Sequence, residues 1–396
     1  MLSLDKVFNA LTVLKNITRE TNVVRAYGIA PDCELYLKPE NLQITGSFKV
    51  RGSAYKIAML SDEEKKHGVI ACSAGNHAQG VALAATKNGI KSLICLPDSA
   101  PISKVEATKS FGADVCLVEG CYDDAYQKAI ELRDSKGYTF VHPFDDENVI
   151  AGQGTIALEI LNELDNIDAI VVPIGGGGLI SGIAYTVKQI RPSVKVYGVQ
   201  AAGAPSMFNS IKDDEIESLT SVSTIADGIA VKKPGENTFA IVKEYVDDIA
   251  IVSDDEVASA ILALMEKQKM IAEGAGAVSV AAVMFDKFDL KGKRVVAVVS
   301  GGNIDITSLS RVIDRGLKNS GRLSSLLIEL IDKPGQLKEI SRIIADCGGN
   351  VTGVHYEKGD TESVNGCFLR IEMETRDFSH IRLITDTLRN EGFKIV

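Results

Sequence analysis

The chain has 396 residues, 45% of them hydrophobic and 24% charged, which gives it apolar side chain for roughly two or three cored domains and rules out a disordered chain. Its 43 basic and 53 acidic residues leave a net charge of −10, so the excess of Lys and Arg that non-specific nucleic-acid or anionic-membrane binding requires is absent. Small-molecule chemistry is the class that remains.

The first five residues, Met1 to Asp5, lack the basic segment and long apolar stretch of a secretory signal. Seven cysteines make an odd, scattered set with no C-x-x-C pair, so neither a zinc site nor a disulfide framework is expected, and a reduced cytoplasmic compartment fits best. The first element that carries chemistry is Ile44 to Gly52. Thr45, Gly46 and Ser47 are turn and N-cap types, and the residues that follow to about Leu60 are helix-compatible, which puts Lys49 in the first turn of a helix. The positive end of the helix dipole and burial beside Phe48 both disfavour the charged amine, leaving a nucleophile of the kind Schiff-base lysines need. Taken alone, Lys49 also reads as an ordinary solvated lysine.

A short apolar strand over Val69 to Cys72 leads into Cys72-Ser73-Ala74-Gly75-Asn76-His77-Ala78-Gln79-Gly80 and a helical stretch from Val81 to Lys87. Small residues there free backbone N–H groups at a helix N-terminus, a carboxylate site, although a plain capped turn with a hydrogen-bonded loop histidine at His77 fits equally. Strand-like runs follow at Ser92 to Leu96, Asp114 to Val118, Ala169 to Ile174, Lys195 to Gln200 and Arg294 to Val299, separated by helix-length connections. This pattern predicts an α/β fold with parallel sheets, whose ligands sit at the carboxyl ends of the strands. From Ala169 to Val187 the chain is uncharged and nearly of bilayer length, but Pro173 and four consecutive glycines break it into strand, loop and helix rather than a membrane span.

Those glycines, Gly175 to Gly178, with Leu179 behind them, form a nest for an anion, with phosphate the natural guest; a structural role alone is the alternative. The loop is neither a Walker loop nor G-x-G-x-x-G, and Gln200 stands near the position where an NAD site carries an acid, so a nucleotide cofactor is disfavoured. Glu273 to Ala277 is a small-residue turn before an apolar helix, read as packing. Ser300-Gly301-Gly302-Asn303 ends the Arg294 strand and points Ser300 into the same crevice, or serves as an N-cap. After a Gly/Asn cluster between Arg315 and Arg322, strand and helix patterns follow in the order βαββαβ to Val396, a small ferredoxin-like module. The expected division is 1–318 and 319–396.

A low-pKa lysine, a carboxylate turn and a phosphate nest together imply a carbonyl-bearing phosphorylated cofactor and an amino-acid substrate. Thr45 to Gly52, Ser73 to Gly80, the tetraglycine loop and Ser300 to Asn303 match, in order and spacing, the threonine dehydratases (threonine deaminases), and the chain resembles this family of fold type II pyridoxal-phosphate enzymes. The resemblance implies a fold similar to that of tryptophan synthase β, with two open parallel-sheet subdomains. It further implies that Lys49 binds pyridoxal 5'-phosphate covalently, that Phe48 packs on its ring and Asn76 bonds its phenolic oxygen. Gly175, Gly176, Gly177, Gly178 and Leu179 would hold the phosphate, Ser300 would face the pyridine nitrogen, and Ser73, Ala74, Gly75 and His77 would receive the substrate carboxylate. The implied reaction is β-elimination of L-threonine to 2-oxobutyrate and ammonia, with serine giving pyruvate.

Serine racemase is the nearest competitor; its family carries a second serine where this chain has Ala74, so little racemisation is expected. A β-replacement enzyme and a non-enzymatic amino-acid sensor are further alternatives. The C-terminal module resembles an ACT domain, on Asp332 to Leu337 and Gly348 to Val351, which implies isoleucine or valine bound near Gly335 and Asn350 at a module interface. Activation by a nucleotide stays open, as does a cation near Thr224 to Gly228, while no metal is assigned. A homotetramer is expected.

Overall fold

The computed structural model describes residues 2–357 and 366–396. They fall into two compact units, Met1–Ile306 and Thr307–Val396. The first contains ten strands: β1 Val24–Arg25, β2 Glu34–Pro39, β3 Val69–Cys72, β4 Ser92–Pro97, β5 Asp114–Val118, β6 Thr139–Phe140, β7 Ala169–Pro173, β8 Lys195–Ala201, β9 Asp248–Val252 and β10 Arg294–Val299. They build a six-stranded sheet of order β1-β2-β10-β7-β8-β9 and a four-stranded sheet of order β5-β4-β3-β6. Every pairing is parallel except β1 with β2. The residues of β3 and β7 are buried throughout, as strands covered on both faces require.

The strands at β1, β2, β6 and β9 lie outside the sequence reading. β2 runs beside β10 over six residues yet ends in Lys-Pro, and a charge next to a proline reads as a solvated turn. Lys38 is in fact fully buried, its ammonium donating to Glu159 Oε2 at 2.6 Å. The uncharged run divides as expected, into β7, the glycine loop and a helix Gly178–Ile190. Among the described residues no helix is long and apolar enough to cross a membrane.

A buried ionic cluster ties the helix carrying Lys49 to its surroundings. The Arg51 guanidinium donates to both Glu40 oxygens at 2.8 Å and to Glu159 at 2.5 and 2.8 Å, joining helix Lys49–Ala58, the end of β2 and helix Glu147–Glu163. Burial alone would lower the Arg51 pKa, and the two carboxylates outweigh it and push it above the ordinary value.

The second unit carries helix Ile306–Asn319 and then β11 Leu323–Ile331, helix Gln336–Asp346, β12 Asn350–Glu357, β13 Gly366–Glu374, helix Phe378–Asn390 and β14 Lys394–Ile395. The order is βαββαβ, and the antiparallel sheet runs β12-β13-β11-β14. Ile328, Ile340, Ile344, Ile371, Ile384 and Leu388 form its core, so both helices cover one face. Gly335 caps helix Gln336–Asp346 at φ +99°, and Asn350 Nδ2 donates to Glu374 Oε2 at 2.8 Å. This is the ACT-like arrangement.

Candidate active site

Lys49 is the first residue of its helix. The expected hydroxyl cap is not there: Phe48 occupies the N-cap without a side-chain bond, and Gly46 turns the chain at φ +70°. The turn is held instead by strand-end contacts, because Phe48 N–H donates to Ser300 O at 3.0 Å and Ser47 bridges to Gly301. The Lys49 amine donates to Pro143 O at 2.8 Å and stands 5.3 Å from the centroid of the Phe48 ring. Burial pushes its pKa down to about 8, with the Glu273 carboxylate acting in the opposite direction. At neutral pH a usable fraction is therefore neutral and nucleophilic.

The second loop becomes helical earlier than its sequence suggests. Helix Asn76–Lys87 begins directly at Asn76 rather than at Val81. Ser73 Oγ accepts from Gly75 N–H at 3.1 Å, and a Cβ built on Gly75 would meet no atom within 4 Å, so space opens at the helix N-terminus where N–H groups have no intrahelical partner. His77 is buried, with Nε2–H donating to Val141 O at 2.8 Å. Burial, then the nearby Lys49 charge, hold its pKa down at about 3, so the ring is neutral and engaged. With the imidazole committed to Val141 O, the group His77 has at the helix start is its backbone N–H. Ala74 brings no hydroxyl to this turn.

Gly175 to Gly178 link β7 to the start of helix Gly178–Ile190, with Leu179 buried behind them. Gly177 adopts φ +100°, and a Cβ at Gly176 would come within 2.5 Å of the Phe144 ring, so both positions exclude side chains. Thr238 Oγ1 donates to Gly176 O at 2.6 Å, turning that carbonyl away and leaving the N–H edge of the loop and the helix start for an anion. Because β7 and β10 are neighbours in the sheet, the glycine loop and Ser300 emerge side by side. Ser300 is buried and donates to Ala275 O at 3.2 Å.

Glu273 is the residue the sequence reading left as packing. It is buried, and its carboxylate accepts from Asn76 Nδ2 at 2.7 Å. Desolvation and then the Asp227 charge raise its pKa to about 7. Asn303 Nδ2 donates to Thr45 O and to Asn76 Oδ1, each at 2.7 Å, so four loops meet on two amides. Gly75, Asn76, Gln79, Lys104, Asp227, Gly228, Glu273 and Asn303 line a small pocket here.

These donors fit pyridoxal phosphate. A depressed amine suits its carbonyl, and a side-chain-free loop at a helix start suits its phosphate. The buried Ser47 hydroxyl, on the same turn as Lys49, has no hydrogen-bond partner among the described residues. All seven cysteines are free, and no group of His, Cys, Asp and Glu among the described residues is arranged to hold a metal ion.

The comparisons with known proteins agree. The family model described as "pyridoxal-phosphate dependent enzyme" matches residues 14–301. An L-threonine ammonia-lyase of Thermotoga maritima is 47% identical over 398 residues, spanning 100% of this chain and 99% of its own. Threonine deaminase isoform 2 of Solanum lycopersicum superposes with a TM-score of 0.75 at 37% identity, over 79% of this chain and 89% of its own. Maize serine racemase superposes equally well, with a TM-score of 0.75 at 33% identity, over 80% of this chain and 98% of its own. The chain belongs to the pyridoxal-phosphate-dependent enzymes, in the branch of the threonine ammonia-lyases.

Proposed function

We propose that this enzyme eliminates water across Cα and Cβ of L-threonine, the resulting enamine taking up water again and releasing ammonia to give 2-oxobutyrate, and converts L-serine to pyruvate by the same route. The observation that carries the reading is the Lys49 amine, buried at a helix start with a pKa of about 8, beside a carboxylate-accepting turn and a phosphate nest. Lys49, Phe48, Asn76, Gly175 to Leu179 and Ser300 would hold the cofactor. When bound, pyridoxal phosphate supplies an electron sink for the pair left at Cα.

The protein's own groups do the rest. Backbone N–H groups of the Ser73 to His77 turn orient the substrate carboxylate at the start of helix Asn76–Lys87. The Lys49 amine takes the Cα proton, and its pKa lies close enough to neutrality for it to act as base and then as acid. Loss of the β-hydroxyl releases an enamine, which water hydrolyses to the 2-oxo acid and ammonia. Ser300 offers a neutral hydroxyl, which does not enforce a protonated ring and so favours prompt elimination.

Formation of 2-oxobutyrate by cofactor-loaded protein tests the reading. Lys49→Ala is expected to lower it by about 10²–10⁴-fold, and turnover unchanged in that variant would remove Lys49 from the mechanism. Similarity to a serine racemase favours racemisation as the second reading. Against it, Ala74 has no proton to give to the opposite face of Cα. D-serine should stay near background in the unmodified protein and rise in Ala74→Ser, as chiral chromatography would show.

The remaining assignments belong to the same proposal: a catalytic portion 1–318 and a regulatory portion 319–396, an amino-acid effector near Gly335 and Asn350, a homotetramer, and a cytoplasmic setting. The ACT-like order of the second unit supports the regulatory part.

A further inference from the structure

We propose that Glu273 is a positioning residue for the cofactor's phenolic oxygen: it clamps the Asn76 amide in one orientation and sets a carboxylate 2.7 Å behind it. The inference rests on the cofactor assignment given above and goes beyond it, since it concerns a carboxylate outside the lysine, glycine and serine set.

The orientation follows from a chain of donors anchored on a backbone carbonyl. Thr45 O can only accept, so the group of Asn303 that faces it at 2.7 Å is Nδ2. The same nitrogen lies 2.7 Å from Asn76, which fixes the facing atom there as Oδ1. The Asn76 nitrogen is thereby turned to Glu273 Oε1, again at 2.7 Å. One Nδ2–H is consumed, and the other has no partner among the described residues. An amide held at both ends spends no binding energy on choosing its rotamer when a phenolic oxygen arrives.

The setting of Glu273 is tight and specific. A Cβ on Gly301 would approach Glu273 Oε1 to 2.3 Å, so glycine at 301 leaves room for this carboxylate. The charged groups that act on it are Asp227, which opposes ionisation, and Lys104, which favours it and is itself paired with Asp227 at 2.9 Å. The backbone N–H of Asn303 and the amide of Asn76 stabilise the anion. In return the carboxylate raises the proton affinity of the Lys49 amine.

The test is a pH titration of the visible absorbance band of the lysine-bound cofactor, with its circular dichroism, in unmodified, Glu273→Gln and Glu273→Asp holoenzymes. Glu273→Gln keeps an acceptor for Asn76 but removes the charge, and the titration midpoint should fall by about one pH unit, a tenfold loss of proton affinity. Glu273→Asp keeps the charge but draws it back from Asn76, so its midpoint should move less than half as far while the dichroism falls by about half. This second variant decides the matter should the first fail to fold. A Gln protein that titrates like the unmodified one, or an Asp protein with unchanged midpoint and dichroism, would overturn the proposal while leaving the cofactor assignment standing. No band in the unmodified protein would overturn both.

Discussion

Single residues decide the site at positions where a side chain is either forbidden or indispensable. Gly177 sits at φ +100°, and an added Cβ would stand 2.7 Å from Thr238 Cβ. Gly177→Ala should carry about 1–2 kcal/mol of backbone strain besides that contact, weakening retention of pyridoxal phosphate by tenfold or so; equilibrium dialysis showing unchanged affinity would refute the nest. Glu273 makes a different kind of prediction. Its pKa rises from 4.5 to about 7 on folding, so between those pH values the folded chain holds a proton the unfolded chain has lost. Its contribution to stability therefore declines as pH rises through that window. Urea midpoints compared at about pH 5 and pH 7.5 should diverge more in the unmodified protein than in Glu273→Gln, and equal divergence would contradict the assignment. The loops that carry Lys49, Asn76 and the glycines are legible in the sequence because turn residues mark them locally. Glu273 is not, since its partner Asn76 is 197 positions away and a glutamate before small residues looks like a helix start.

Among elements, the helix that presents Lys49 owes its placement to charges buried two residues further on. Arg51 is 1% exposed and Glu40 fully buried, so truncating one partner leaves the others uncompensated. Arg51→Met should cost about 3–5 kcal/mol, which at about 2–4 °C per kcal/mol lowers the melting temperature by roughly 10 °C. A melting temperature within about 2 °C of the unmodified protein would show the cluster to be dispensable. The same cluster explains what the sequence concealed. Lys38, Glu40 and Arg51 look like surface charge along the chain, and only the fold pairs Arg51 with Glu40 and brings Glu159, far downstream, to Lys38 and Arg51. β2 was missed for that reason. β9, a short apolar run without a motif, and the two-residue β1 and β6 gave periodicity too little length to act on. Strands that end in a glycine loop, β3, β7 and β10, were plain because each couples an apolar run to a helix start.

For the whole molecule, the question is how the ACT-like unit bears on turnover. The C-terminal module was readable because its βαββαβ order arises from local patterns over consecutive residues. Maize serine racemase matches 80% of this chain with 98% of its own, so a comparable catalytic body exists without a counterpart to the remainder. Under the proposed regulation, ending the chain at residue 318 should leave threonine turnover within about twofold while abolishing a response to isoleucine, valine or AMP, a coupling of typically 1–3 kcal/mol. A truncated protein that still responds would move the effector site into the catalytic body.

The central claim is that one lysine, placed at a helix start by four converging loops, carries the cofactor and the chemistry. Borohydride reduction of the cofactor-loaded protein followed by peptide mass mapping tests it most directly. The result expected is a stable pyridoxyl adduct on Lys49, formed in lower yield when saturating L-threonine is present as the reductant is added, and absent from Lys49→Ala. An adduct on another lysine, or none at all, would contradict it.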